Sequence, residues 1–202
     1  MAEVADLSGR SERAVQLAVR SGALPALRRV GRSWVIDDVA ALAWVRALGS
    51  GRVWSEPVRD AALALLDGRR TEGVEASALS RLRRRLDEMS AGEFAHALGG
   101  LGGGWGRYRR TARGGLAGAI SVAWADEGVA GRAGRRLVQV PDLAEFELRS
   151  PVVLDADGDL LVVEREGGVT FARRLVDTYL VGDSRASQAA AEEIERRLAR
   201  VR

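Results

Sequence analysis

The chain of 202 residues contains no cysteine, no lysine and a single histidine, His96. Without cysteine it can form no disulfide, no thiolate metal site and no cysteine nucleophile, which fits a reducing compartment. A chain of this length buries a sizeable core without such cross-links. No stretch approaches the roughly 18 to 20 consecutive apolar residues of a membrane span, and the N-terminus lacks the basic-then-apolar layout of a signal peptide. We therefore expect a cytoplasmic protein.

The sequence offers no catalytic constellation. A Ser-His-Asp arrangement would have to use His96, and nothing pairs it with a nucleophile. The glycine-rich stretch GGLGGGWG lacks the Lys-Ser/Thr of a phosphate loop and follows no strand. Asp155, Asp157 and Asp159 alternate as in a calcium loop, but the glycine is misplaced and the flanks resemble strands, so a plain hairpin turn is favoured. We predict a non-enzyme with no cofactor and no metal.

Every basic residue is arginine, which a GC-rich genome would explain in part. The charge is nevertheless uneven, since residues 1–150 hold 23 Arg against 18 acidic residues and residues 151–202 hold 8 against 10. A basic body with a mildly acidic tail suits a nucleic-acid binder with a separate contact surface.

The first fifty residues predict a helix, a short turn, a helix, a hairpin and a helix. Ser11 is a good N-cap for the second helix and Gly22 a left-handed stop. LPALRRV and WVI flank a tight turn and predict a β-hairpin. Asp37 and Asp38 then open a third helix. Two helices joined by a three-residue turn make a helix-turn-helix, and a basic hairpin beside them makes a wing.

The segment EVADLSGRSERAVQLAVRSGALPALRRVGRSWVIDDVAALAW, about 42 residues, closely resembles the excisionase-like, MerR-related helix-turn-helix family in order and spacing. The matching features are EVA, the S-x-R-x-V opening of the second helix, the SGALPA corner, the RxVGRSW hairpin and the acidic start of the next helix. The resemblance implies DNA binding by the second helix in the major groove, with the wing on the neighbouring backbone.

Polar side chains on the outer side of the second helix are the expected DNA contacts. We predict base contacts by Arg13 and Gln16, because they lie three apart on one face near the helix N-terminus. Phosphate and further contacts are expected from Arg10, Ser11, Arg20, Arg28, Arg29, Arg32 and Ser33. The alternative is that these arginines form a solvated face. Trp34 has two possible roles, support of the wing from within the core or contact with sugar-phosphate, and we expect the first.

The rest of the chain predicts a helical connector at 51–106, ending in a glycine-rich hinge, and a mixed α/β domain at 107–202. LVQV, PVVL and LLVV are typical of strands, whereas Leu116–Trp124 suggests a buried helix. The predicted fold class is α+β, with the winged helix-turn-helix at residues 1–50. Arginine alternates with aromatic residues from Trp105 to Arg113, as in single-strand binding surfaces, but a solvated segment or a contact for an acidic partner explains it equally well.

The order of helices and the phrase D-x-Y-L-x-G-D-x-R at Asp177–Arg185 resemble actinobacterial AbiEi-like antitoxins. That resemblance implies autoregulatory promoter binding and engagement of a partner protein, a toxin or a second copy, through the C-terminal domain. Three classes of function stay open: a sequence-specific transcriptional regulator, an excisionase-like recombination factor that bends DNA, and an enzyme targeted to DNA. The missing active site argues against the third, and some 150 extra residues argue against the second.

Overall fold

A computed structural model describes residues 1–26, 28–31, 33–71, 73–102, 104–122 and 136–201. These residues form nine helices and seven strands, and the strands make two sheets. The α+β class predicted from the sequence is therefore correct. The first elements, in chain order, are α1 (Ala2–Ser8), α2 (Glu12–Arg20), β1 (Arg28–Val30), β2 (Ser33–Val35) and α3 (Asp38–Arg46). The two strands pair antiparallel around Gly31, whose φ of 60° favours glycine. Their order is the one predicted.

Three helices follow: α4 (Glu56–Leu66), α5 (Ala76–Asp87) and α6 (Ala91–Ala97). The start of α6 carries a capping box. Ser90 Oγ accepts from the Glu93 main-chain nitrogen, and Glu93 Oε2 accepts from the nitrogen of Ser90. After α6, Gly99 and Gly100 adopt positive φ and turn the chain towards the sheet.

The second sheet has five strands among the described residues, in the order β4-β5-β7-β3-β6. The elements are β3 (Trp105–Arg110), β4 (Ile120–Val122), β5 (Arg136–Val140), α7 (Leu143–Arg149), β6 (Val152–Leu154) and β7 (Leu160–Glu164). β5 and β7 are parallel, and the other neighbouring pairs are antiparallel.

Alternate residues of the sheet serve two different cores. Leu137, Leu161 and Val163 belong to a large cluster that the helices cover. Val138 and Val162 belong to a smaller cluster on the other face, with Phe146 of α7. The sheet is therefore buried on both faces, which explains the near-continuous apolar runs of β5 and β7.

The connection from β6 to β7 is not the hairpin that the sequence predicted. Both strands pair with β3, on opposite sides of it, and Leu154 and Leu160 both lie opposite Tyr108. The chain crosses over β3 at Gly158, where a Cβ atom would lie only 2.1 Å from the Tyr108 carbonyl oxygen. The glycine is thus required for a close backbone approach.

The predicted buried helix at Leu116–Trp124 is also wrong as far as the structure describes that segment. Ile120–Val122 is strand β4, which pairs with β5, and Ile120 is 47% exposed. β4 occupies a sheet edge, where pairing to one neighbour decides the conformation of a short apolar run. Residues 123 and 124 lie outside the described residues.

The last two helices, α8 (Phe171–Val181) and α9 (Ser184–Leu198), pack on the sheet and on the connector helices. An apolar stripe on α9 is buried, with Ala190, Ile194 and Leu198 at most 1% exposed. The large cluster includes residues on both sides of position 106, and the domain boundaries at 50 and 106 stay predictions. No helix in the described ranges combines the length and the apolar character needed to cross a bilayer.

Candidate nucleic-acid interface

α2 is fixed at both ends by local interactions. Gly9, with a φ of 62°, ends α1, and three residues separate the two helices. Ser11 caps α2, since its Oγ accepts from the Ala14 nitrogen at 3.3 Å. Gly22 follows the helix with a φ of 78°. The predicted cap and stop are both confirmed, and they fix where α2 begins and ends.

The inner side of α2 belongs to a small apolar core. Val15 and Ala18 are buried against Val4 and Ala5 of α1, and Leu24 completes the cluster. The opposite side is exposed and carries Arg13, Gln16 and Arg20, and the other two predicted contact residues, Arg10 and Ser11, are exposed just before the helix. The face is therefore cationic, polar and open to solvent.

The structure adds one apolar residue to this face. Leu17 is 67% exposed and stands four residues after Arg13 and three before Arg20, so the three side chains share one side of the helix. The sequence carries a signal for it, because position 17 lies outside the buried spacing of Val15 and Ala18. An exposed leucine next to Gln16 is able to contact a thymine methyl group in the major groove.

The hairpin presents a second cationic element. The Arg29 guanidinium lies over the Trp34 ring, 5.6 Å from the ring centroid, and the tryptophan is half-buried. Ser33 is exposed at the start of β2. The Arg28 side chain and all of Arg32 lie outside the described residues, and their predicted phosphate contacts stay predictions.

α3 joins this N-terminal module to the rest of the protein. Ala41 and Trp44 face the small core with α1 and α2. Val39, Ala43 and Ala47, spaced by four residues, face the large cluster with α8. α3 is thus shared between two cores.

An ion pair fixes the N-terminal end of α3. Arg107 Nη1 lies 3.1 Å from Asp37 Oδ2 and 3.0 Å from Asp38 Oδ1, and its Nε donates to the Gly158 carbonyl at 2.7 Å. The side chains of Asp37 and Arg107 are 1% and 8% exposed. Asp37 also caps α3, because its Oδ1 accepts from the Val39 nitrogen. Burial raises the pKa of the Asp37 carboxyl, and the Arg107 guanidinium opposes that shift.

Hydrogen bonds fix the other end of α3. Arg46 Nη1 donates to the carbonyls of Leu180 and Gly182, both at 2.8 Å, and the Tyr179 hydroxyl donates to the Arg46 carbonyl at 2.8 Å. The module is therefore held at both ends of one helix, with the exposed faces of α2 and the hairpin left open.

The segment from Trp105 to Arg113 does not present a continuous aromatic and basic surface. Arg107 and Tyr108 are buried, and the Tyr108 hydroxyl donates to Glu147. Arg109, Arg110 and Arg113 are exposed, and Arg109 pairs with Asp155 at 2.8 Å. Burial falls in two blocks along β3, with residues 106–108 buried and residues 109 and 110 exposed. The solvated interpretation therefore fits the second block, and a structural ion pair explains Arg107.

The other polar residues considered in the sequence have structural contacts. Both ring nitrogens of His96 lie 3.1 Å from main-chain carbonyls, those of Ala47 and Gly51. Asp155 Oδ1 accepts from the Asp157 nitrogen at 2.9 Å within the crossover. In the described part of the chain no three acidic or histidine side chains group as metal ligands do.

Comparisons with known proteins give no match: no family model, no curated protein and no solved structure is similar to this chain. Function is therefore inferred from the sequence and the geometry described above.

Proposed function

We propose that the protein is a sequence-specific regulator of transcription that binds double-stranded DNA through a winged helix-turn-helix at residues 1–50. In this proposal α2 lies in the major groove, which admits one helix, and the β1–β2 hairpin contacts the adjacent backbone. Arg13, Gln16 and Leu17 face base edges, and Arg10, Ser11 and Arg20 contact phosphates.

One observation supports the proposal most strongly. Arg13, Gln16 and Arg20 share the exposed side of α2, and Arg10 and Ser11 are exposed just before it, while Val15 and Ala18 of the same helix fill the small core. The exposed N-terminal end of α2 adds main-chain N–H groups, which favour a phosphate.

The proposal is tested by selection from a pool of duplexes that each contain about 20 random base pairs. The full chain is expected to enrich one motif and to bind it at least about 1,000-fold more tightly than the starting pool at physiological salt. Repeated rounds without an enriched motif would contradict sequence-specific binding, even if the pool as a whole is retained.

Gln16 is expected to read a base of the selected motif. The Gln16→Ala variant should lose about 1 to 3 kcal/mol of binding free energy on that motif and almost none on random duplex. Gln188→Ala removes an exposed glutamine from α9 and serves as the control, with both affinities unchanged. Equal losses on the two duplexes would make Gln16 a phosphate contact.

Three expectations stay predictions. The first is that the C-terminal part binds a protein partner, either a toxin or a second copy of the chain. The other two are the absence of enzymatic activity and the cytoplasmic location. The antitoxin role depends on the first of them.

A further inference from the structure

A cavity of about 800 Å³ lies far along the chain from α2. Its lining includes residues of α4, residues 69–71, residues 164–168 and Thr170, and Arg173 reaches it from α8. The volume falls within the range of small-molecule sites, which is about 300 to 1,000 Å³. Ala61, Leu63 and Leu98 give it an apolar wall.

Two largely buried guanidinium groups at this cavity share one carboxylate. Arg165 Nη1 lies 2.7 Å from both oxygens of Asp177, whose side chain is 1% exposed. Arg173 is 9% exposed, and its Nε is 3.5 Å from the Asp177 oxygen that Arg165 already holds. Within the described residues that Nε donates no hydrogen bond. Buried positive charge therefore exceeds buried negative charge here.

The main chain holds these cations in place without neutralising them. Arg165 Nη2 donates to the Leu101 carbonyl at 3.0 Å, and Arg173 Nη2 to the Gly100 carbonyl at 3.4 Å. Burial, followed by repulsion from Arg165 and Arg59, lowers the pKa of the Arg173 guanidinium well below its ordinary value. A buried charge without a full counterion is costly, so an anion from solution would be attracted to this position.

Carboxylates that also border the cavity do not supply that counterion. Glu56, Asp60 and Glu166 are exposed, so water and salt screen their charge. Glu164 is half-buried, and its Oε1 accepts from the Leu143 nitrogen at 3.2 Å. Arg59, which is half-buried, adds a further cation to the lining.

We propose that this cavity binds a small organic molecule that carries a carboxylate or phosphate group, with Arg173 and Arg59 as the cations that hold this group. A guanidinium group can donate two parallel hydrogen bonds to a carboxylate or to a phosphate. The carbonyls of Gly100 and Leu101 orient Arg173 and Arg165 before a ligand binds. The apolar wall requires that the rest of the ligand is partly apolar. The site is separate from the DNA interface, and the proposal does not depend on DNA binding.

The test uses calorimetry on the full chain at constant ionic strength, with inorganic phosphate and phenyl phosphate as probes and phenol as the neutral analogue. We expect one saturable site for each phosphate, tighter binding of phenyl phosphate, and no binding of phenol. Arg173→Met should weaken phosphate binding about tenfold or more. Arg59→Gln, at a more exposed position that does not endanger folding, should weaken it in the same direction.

Two controls locate the site. Arg83→Met on the exposed side of α5 and the double variant Arg13→Ala, Arg20→Ala on α2 should bind phenyl phosphate as tightly as the wild type. The proposal is overturned by a lack of saturable binding, by affinities unchanged in both Arg173→Met and Arg59→Gln, or by a loss in the α2 variant equal to that in Arg173→Met.

Discussion

The Arg107→Met variant is expected to lose about 3 to 5 kcal/mol of unfolding free energy near neutral pH. The substitution leaves the Asp37 carboxylate, 1% exposed, without its guanidinium and removes the donor to the Gly158 carbonyl. A loss of this size corresponds to a fall in melting temperature of about 10 °C for a protein of this length. Thermal or denaturant unfolding measures it.

The loss should also depend on pH. Burial already raises the pKa of Asp37, and removal of Arg107 raises it further, so the folded variant binds a proton more readily than the unfolded chain. The stability deficit is therefore full above the raised pKa and shrinks as the pH falls towards about 4. Arg109→Met, two residues along the same strand, removes an exposed ion pair and should cost less than about 1 kcal/mol at every pH. Equal losses in the two variants would contradict a buried, uncompensated Asp37.

A triple variant of the α2 region, Arg10→Ala, Arg13→Ala and Arg20→Ala, is expected to bind duplex DNA about 100-fold or more weakly at about 0.1 M salt. Arg10 and Arg20 release counterions when they bind phosphates, so the slope of log affinity against log salt should fall by nearly one unit for each of these two contacts. Loss of the Arg13 base contact lowers the affinity further. All three side chains are exposed, and the unfolding free energy should change by less than about 0.5 kcal/mol each. An unchanged salt slope would place the phosphate-binding residues elsewhere.

Local signals explain why the N-terminal elements could be predicted. Ser11 and Asp37 cap their helices, and Gly9, Gly22 and Gly31 take the left-handed conformations that end α1, follow α2 and turn the hairpin. Each of these signals acts within a few residues of the element it defines, so the sequence pattern alone reveals it.

Long-range pairing explains what the sequence did not reveal. Arg107 and Asp37 are 70 positions apart, and no periodicity relates them. In the sequence, the crossover at Gly158 resembles a hairpin turn, because two short apolar strands flank a run of turn residues in a hairpin and in a crossover alike. Only the insertion of β3 between β6 and β7 distinguishes the two. The exposed face of α2 could be predicted because its spacing is local. The attachment of α3 to α8 through Arg46 could not, because it joins residues far apart in the chain.

The most direct test of DNA binding by α2 compares the removal of three positive charges at α2 with the removal of three at another helix, α5. The α2 triple variant is matched by Arg81→Ala, Arg83→Ala and Arg84→Ala, which removes three exposed arginines from α5. Both variants are titrated against one labelled duplex by fluorescence anisotropy at the same salt concentration. We predict that the α2 variant loses about 100-fold in affinity, while the α5 variant stays within about threefold of the wild type because distant surface charges are screened. Equal losses would contradict a role for α2 as the recognition helix and would assign DNA binding to the general arginine content of the surface.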